Sequence, residues 1–186
     1  MEKKKHIFSC FLIFLAGALD SYCYILHDGI FASMHTGNMI KIAVTLYYSE
    51  YGNIYKYVLP IILFMIGIFC AHFLTKTKHP QAIPLILAFV CYAIGFAIPI
   101  GKLNVLASCI MAFGVALQLQ AVRTIYGFPV ATTMSTGNLR SLFENLGCYV
   151  STKDKHYLRG VLVYTTLIVF FLLGLVAMAL FLRLII

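Results

Sequence analysis

Residues 34–38 read Met-His-Thr-Gly-Asn and residues 134–138 read Met-Ser-Thr-Gly-Asn, so each half of the 186-residue chain carries one copy of the same short motif. Internal repeats of this kind constrain the fold before any single residue is interpreted. Two polar motifs within apolar surroundings also mark the first place to look for a functional site.

The match continues upstream of both motifs. Asp20, in Ala-Leu-Asp, lies nine residues before Gly29, and Gln118, in Ala-Leu-Gln, lies nine residues before Gly127. Two ordered matches at nearly constant spacing indicate a duplicated unit rather than a chance repetition.

The composition assigns the duplicated unit to a membrane. Hydrophobic residues make up 62% of the chain, charged residues 11%, and the mean hydropathy is +0.94. A soluble domain of this length needs more charge to cover its surface. Apolar stretches near the length that crosses a bilayer recur along the chain, so we expect the lipid bilayer to be its principal partner.

The net charge of +8 arises from 14 Lys and Arg against 6 Asp and Glu. These basic residues occur in short clusters between apolar runs, which is the pattern of membrane topology. No basic stripe interleaved with aromatic residues is present in the sequence, so a nucleic-acid partner is not expected.

The sequence offers little for catalysis. Its six cysteines are scattered without a Cys-x-x-Cys pair, and the few acidic residues are too dispersed for a metal cage. No serine or cysteine is positioned as a nucleophile. We therefore expect no enzyme activity, cofactor or metal, and we interpret His27 and His35 as structural groups near the outer face.

The predicted fold is an all-α polytopic membrane helix bundle in one integral membrane domain, residues 1–186. It has about seven transmembrane segments, with six as the alternative count. The segments are 7–26, 30–48, 55–75, 81–100, 103–124, 128–150 and 159–184.

The segments group into repeat 1 (7–75), a linker helix (81–100) and repeat 2 (103–184). If all segments span, four crossings separate the two repeat starts and the repeats are parallel, with a pseudo-two-fold axis along the membrane normal. If the fourth segment does not span, the repeats are inverted.

Orientation follows from basic residues near the segment ends. Lys3, Lys4 and Lys5 precede an apolar run that resembles a secretory signal, but the chain downstream is itself embedded, so we expect an uncleaved first helix. With seven spans, an N-terminus in the cytoplasm places Lys3, Lys4, Lys5, Lys56, Lys102, Lys153, Lys155 and Arg159 inside, and Lys76, Lys78, Arg123 and Arg183 outside.

The two motifs supply the candidate site. Asn38 and Asn138 need hydrogen-bond partners in hydrocarbon, so each faces protein or water. Gly37 and Gly137 follow Ser33 and Thr133 in small-x-x-x-small pairs, which are typical of helix packing. Two readings stay open: the motifs only pack helices, or Thr36, Asn38, Thr136 and Asn138 line a polar substrate site.

Asp20 and Gln118 are the upstream members of the candidate site. An intramembrane carboxylate is a functional candidate by default, with Lys41 and Arg123 as its plausible partners and Arg140 as a further possible charge partner at the site. Lys41 and Arg140 each follow a motif closely. Either they extend to the cytoplasmic interface, or they bind an anionic head group or substrate.

These residues together resemble the YoaK family of bacterial multi-pass membrane proteins, a domain of unknown function. The resemblance rests on Gly17 to Asp20, Thr36 to Asn38, Leu117-Gln118, Ala121 to Arg123, and Ala131 to Leu139. It covers most of the chain. One departure is Leu119, where the family tends to carry Asn after the Gln. The resemblance implies the bacterial plasma membrane and no established activity.

The leading functional hypothesis is a small transporter or permease-like protein that binds an ion or small molecule between the Thr-Gly-Asn repeats. The alternative is a non-transporting scaffold or accessory subunit. A cavity that solvent can reach at the motifs favours the first, and a dry, packed axis favours the second.

Overall fold

Each predicted segment contains one α-helix in the computed structural model, which describes residues 2–186 and the side chains from residue 3 onward. The predicted all-α class is confirmed. A 3₁₀ turn at Tyr51–Asn53 and an antiparallel pair of short strands, Thr124–Ile125 (β1) and Phe128–Pro129 (β2), were not predicted. The helices are Glu2–Leu26 (α1), His35–Tyr47 (α2), Tyr55–Leu74 (α3), Ala82–Ala97 (α4), Asn104–Ala121 (α5), Thr136–Thr152 (α6) and Lys155–Ile185 (α7).

Four stretches are long and apolar enough to cross a bilayer: Lys3–Leu26, Tyr51–Leu74, Asn104–Ala121 and Lys155–Ile185. Helix α4 is apolar as well but has 16 residues. Large side chains such as Phe69 and Leu172 point outward, as expected where lipid rather than water surrounds the protein. The chain is therefore a membrane protein built as a helix bundle.

Two long parallel helix pairs form the frame of the bundle. Helix α1 packs along α7 and α3 packs along α5. Gly17 and Gly174 lie where the α1 and α7 backbones touch, and Gly67 lies where α3 meets α5. Close approach at glycine is how membrane helices pack without a hydrophobic driving force.

Helices α1 and α5, which begin the two repeats, run antiparallel. His27, just after α1, lies 3.4 Å from Ser108 in the first half of α5, whereas Gln118 near the end of α5 donates to the Leu12 carbonyl at 3.1 Å. The parallel relation predicted from the sequence is therefore wrong.

The error comes from treating residues 30–48 as a crossing. Lys41 of α2 lies 4.7 Å above the ring of Tyr24, close to the end of α1, and Tyr57 at the start of α3 donates to the Asp28 carbonyl at 3.5 Å. The chain thus enters the bundle after α1, turns at the motif and returns to the same end. With 13 residues, α2 is only about 20 Å long at 1.5 Å per residue, too short for a bilayer.

Residues 122–152 make the second re-entrant segment, from the opposite end. Phe128 stacks on His156 at 4.7 Å, and Tyr164 donates to the Pro129 carbonyl at 2.7 Å, so this segment starts beside the first turns of α7. At its innermost point the Thr133 carbonyl accepts a hydrogen bond from Ser33 at 2.8 Å. The two re-entrant segments therefore meet inside the bundle.

Candidate functional site

A cavity of about 360 Å³ lies where the half-helices α2 and α6 begin. Both copies of the motif border it, together with one aromatic side chain from α3 and one from α7. Thr36 and Thr136 are accessible within it. The lining consists of Ser33, Met34, His35, Thr36, Met39, Phe64, Thr133, Met134, Ser135, Thr136, Gly137 and Phe171.

Asn38 and Asn138 hold the re-entrant backbones rather than line the cavity. Asn38 accepts from the Phe31 amide and donates to the Phe31 carbonyl, each at 2.9 Å. Asn138 makes the same pair of bonds with Ala131, at 3.1 and 2.7 Å, and also donates to the Met134 carbonyl at 2.9 Å. Both side chains are buried, so the two motif copies fold alike around their asparagines.

Asn138→Leu is therefore expected to destabilise the protein by about 2 kcal/mol or more, because it leaves buried backbone groups unpaired. Thermal unfolding in detergent measures the change as a lower Tm. Asn53→Leu, in the exposed 3₁₀ turn, is the matched control and should leave the Tm nearly unchanged. An unchanged Tm for Asn138→Leu would contradict the structural role and return Asn138 to the set of ligand-binding candidates.

Asp20 connects the first long helix to the point where the two re-entrant segments meet. It accepts from the Ser33 amide at 2.7 Å, and the Ser33 hydroxyl contacts its second carboxylate oxygen. The same hydroxyl reaches the Thr133 carbonyl at 2.8 Å. Ser33 therefore connects the Asp20 carboxylate of α1 to the backbone of the second re-entrant segment.

Gln118, the counterpart of Asp20, is also engaged by backbone. Its amide donates to the carbonyls of Leu12 and Thr132, both at 3.1 Å, and its oxygen accepts from Tyr92 at 3.0 Å. Like Asp20, it anchors a re-entrant segment from behind. Neither residue is part of the cavity lining.

The three candidate charge partners have other contacts. Lys41 lies over the rings of Tyr24 and Tyr57, at 4.7 and 5.6 Å. Arg123 donates to Gln120, and Arg140 pairs with Glu144 at 2.8 Å on the outer side of α6. Asp20 accepts its hydrogen bonds from Ser33 and from the backbone of Ala32 and Met34 instead.

The two motif glycines differ from each other. A Cβ at Gly37 would lie 2.8 Å from the ring of Phe31, within the same re-entrant segment. A Cβ at Gly137 would have no heavy atom of the described chain within 4 Å. Contrary to the prediction, neither glycine therefore packs against another helix. Gly37 leaves room for the Phe31 ring of its own re-entrant segment, and Gly137 borders the cavity.

Four polar residues of the cavity lining were not included in the predicted set: Ser33, His35, Thr133 and Ser135. His35 was placed near the outer face, whereas it lies in the interior, 4.2 Å from the ring of Phe64. The signal that could have identified these residues is their position at or just before the start of each half-helix. Of the predicted substrate-binding residues, Thr36 and Thr136 are the ones that border the cavity.

This arrangement defines a class: a polytopic helical membrane protein with two re-entrant half-helices facing one cavity. The chain belongs to the family described as "Protein of unknown function (DUF1275)", whose model matches residues 8–186. The resemblance to the YoaK family is thereby confirmed. Comparisons with curated proteins and with solved structures give no match.

Proposed function

We propose that this protein is a small transporter, or permease-like protein, whose substrate site is the cavity between the two motifs. The observation that carries the proposal is the convergence of two broken segments, one from each half of the chain, on one open cavity. Transporter sites are commonly built from discontinuous helices at the interface of two repeats, near the middle of the bilayer.

The helix pairing supports an inverted repeat. Helix α1 packs on α7 and α5 packs on α3, so exchanging the two repeats exchanges these two pairs. Since α1 and α5 are antiparallel, the pseudo-two-fold axis lies in the membrane plane. Such an axis gives the cavity two equivalent ways to open, one toward each side of the membrane.

The re-entrant topology also supports an N-terminus in the cytoplasm of a bacterial cell. When α4 is counted as a fifth crossing beside the four long apolar stretches, most of the 14 basic residues gather at the end where α1 begins, which is the bias of cytoplasmic loops. Relative to the seven-span prediction, Lys56 and Lys102 change sides with Lys76, Lys78 and Arg123. The proposed cytoplasmic set is Lys3, Lys4, Lys5, Lys76, Lys78, Arg123, Lys153, Lys155 and Arg159.

The rival scaffold function draws its support from the asparagines, which are fully engaged with backbone. It does not explain why Thr36 and Thr136 remain accessible beside an unfilled volume. Membrane interiors that serve packing alone bring small residues into van der Waals contact. The open cavity therefore favours transport.

Access to the cavity from both sides of the membrane tests the proposal. Thr136→Cys, in a background in which the exposed Cys148 is replaced by Ser, is expected to react with a charged, impermeant thiosulfonate reagent in both right-side-out and inverted vesicles. Thr152→Cys, exposed at the far end of α6, is the matched control and should react from one side.

Reaction of Thr136→Cys from one side only, or from neither, would contradict a transport pathway through the cavity. The Cys148→Ser background without a new cysteine sets the baseline in both vesicle orientations. Thr136→Cys is expected to fold as the wild-type protein does, because Thr136 is accessible and Cys is close to Thr in size.

A further inference from the structure

One wall of the cavity consists of the starts of two helices. Helix α2 follows Met34 and α6 follows Ser135, and neither of these N-cap residues makes a side-chain capping hydrogen bond. The first amides of a helix have no helical acceptors, and the N-terminal end carries a partial positive charge. The His35 and Gly37 amides of α2 already have backbone acceptors, so it is chiefly the dipoles of the two helix ends that favour negative charge at the cavity.

Two buried side chains at the same cavity have unpartnered polar atoms. His35 and Thr133 are 8% and 0% exposed, and His35 Nε2 and Thr133 Oγ1 have no hydrogen-bond partner among residues 3–186. Buried polar atoms are normally paired, so an unpartnered atom on a cavity-lining residue marks a position where a ligand or a water can bind. This observation is independent of the helix ends.

The unpartnered nitrogen of His35 is a donor. The two bonds to Phe31 fix which way the Asn38 amide faces, so the group that points at His35 is the NH₂ and not the oxygen. That group lies 3.4 Å from His35 Nδ1, so this contact favours the tautomer in which Nδ1 accepts. In a neutral imidazole the proton is then on Nε2. His35 Nε2 is therefore an N–H donor without an acceptor among the described residues.

The rest of the lining is apolar. Met34, Met39, Phe64, Met134 and Phe171 form it, and the described lining contains neither a carboxylate nor a basic side chain. The Asp20 carboxylate lies behind Ser33, outside this lining, and both of its oxygens contact Ser33. The cavity thus has hydrogen-bond donors on one side and an apolar surface on the other. Its volume lies within the usual range for ligand pockets, about 300–1,000 Å³.

We propose that the cavity binds a small organic anion, a monocarboxylate with an apolar body. The carboxylate would lie against the starts of α2 and α6 and accept hydrogen bonds from His35 Nε2 and Thr133 Oγ1, with the body against the Met and Phe side chains. This rests on the proposed function, since it names the substrate class of the transport site. A cation at this position would face two positive helix ends and no carboxylate in the described lining.

The test compares three probes of similar shape and different charge: benzoate, benzamide and benzylammonium. Binding to the detergent-purified full chain is measured by the shift in Tm against concentration, with sodium chloride matching the ionic strength. A ligand of the native state raises the Tm. We expect benzoate to raise it at concentrations where the other two and chloride do not.

Thr133→Val and His35→Phe should each weaken benzoate binding by about tenfold, the loss typical of one hydrogen bond to a charged group. Thr133→Val keeps the side-chain shape and removes an oxygen that has no partner in the described chain, so it should fold normally. Thr152→Val, exposed at the end of α6, is the control. If His35→Phe does not fold, the proposal is still tested by Thr133→Val and by the comparison of the three probes with the wild-type protein.

The proposal is overturned if benzamide or benzylammonium raises the Tm as much as benzoate, if no probe raises it, or if Thr133→Val binds benzoate as wild type does. These outcomes are separate from failure of the transport proposal. Benzoate binding with one-sided reaction of Thr136→Cys would retain the anion site and reject transport. Two-sided reaction with a preference for another probe would do the reverse.

Discussion

Gly137→Leu is expected to fold as the wild-type protein does and to lose solute flux entirely. Gly137 borders the cavity at the start of α6, and a Cβ added there meets no heavy atom of the described chain within 4 Å. A leucine side chain can therefore extend into the cavity without displacing protein. The volume that it fills is the volume in which the proposed substrate binds.

The measurement is stopped-flow swelling of proteoliposomes in gradients of benzoate, benzamide or benzylammonium. Whichever probe enters faster with the wild-type protein than with empty liposomes should enter at the empty-liposome rate with Gly137→Leu. The Tm of the variant should stay close to that of the wild type, because surface-like positions without close neighbours usually change stability by less than about 0.5 kcal/mol.

Gly147→Leu is the matched control, since Gly147 lies in the same helix and also has no described neighbour within 4 Å of a built Cβ. It is outside the cavity and should leave flux unchanged. Undiminished flux with Gly137→Leu would reject the cavity as the pathway. The equivalent change at Gly37 is less informative, because a side chain there meets the ring of Phe31.

The positions of the helices could be predicted from the sequence because apolar length and loop punctuation determine them. All seven segments contain a helix within the predicted bounds or a few residues beyond them. The sequence did not reveal that residues 30–48 enter the bundle and return to the same end. This stretch has the length of a span, but its first five residues are non-helical, and that leaves α2 too short.

The repeat itself contained the clue to inversion. In each copy the helix begins inside the motif, at His35 in the first and at Thr136 in the second, and the residues before it are non-helical. Each copy therefore interrupts an apolar segment near its middle. Broken spans at corresponding positions in two halves are typical of inverted-repeat transporters. The sequence count of four intervening spans concealed this, because direction along the chain depends on every segment between the copies.

The sequence indicates which polar residues to consider but not what their side chains do. Asn38, Asn138 and Gln118 are buried, and an amide can satisfy a broken backbone as well as a ligand. Sequence alone does not distinguish these uses. Because these three amides are buried and hydrogen-bonded within the protein, their role is structural. His35 and Thr133 each keep an unpartnered polar atom and are the better candidates to bind a ligand.

Gly174→Ala is expected to cause the largest loss of stability of any single methyl addition discussed for this chain. A Cβ at Gly174 would overlap the Phe14 carbonyl oxygen of α1 and lie 3.1 Å from the Ala18 amide nitrogen. These are backbone atoms of a long helix, so no rotamer change relieves the overlap. On the same interface a Cβ at Gly17 would overlap the Phe171 carbonyl oxygen of α7.

The two helices must separate to accept the methyl group, and α1 and α7 share the most extensive pairing in the bundle. Overpacking typically costs about 1–3 kcal/mol, and a contact between backbones belongs at the upper end. The expected fall in Tm is on the order of 10 °C. Gly147→Ala, which adds the same methyl group in open space, should leave the Tm unchanged or slightly higher, because alanine is the better helix former. Equal Tm values for the two variants would mean that α1 and α7 do not cross at Gly174, and the parallel α1–α7 pair on which the inverted repeat depends would have to be abandoned.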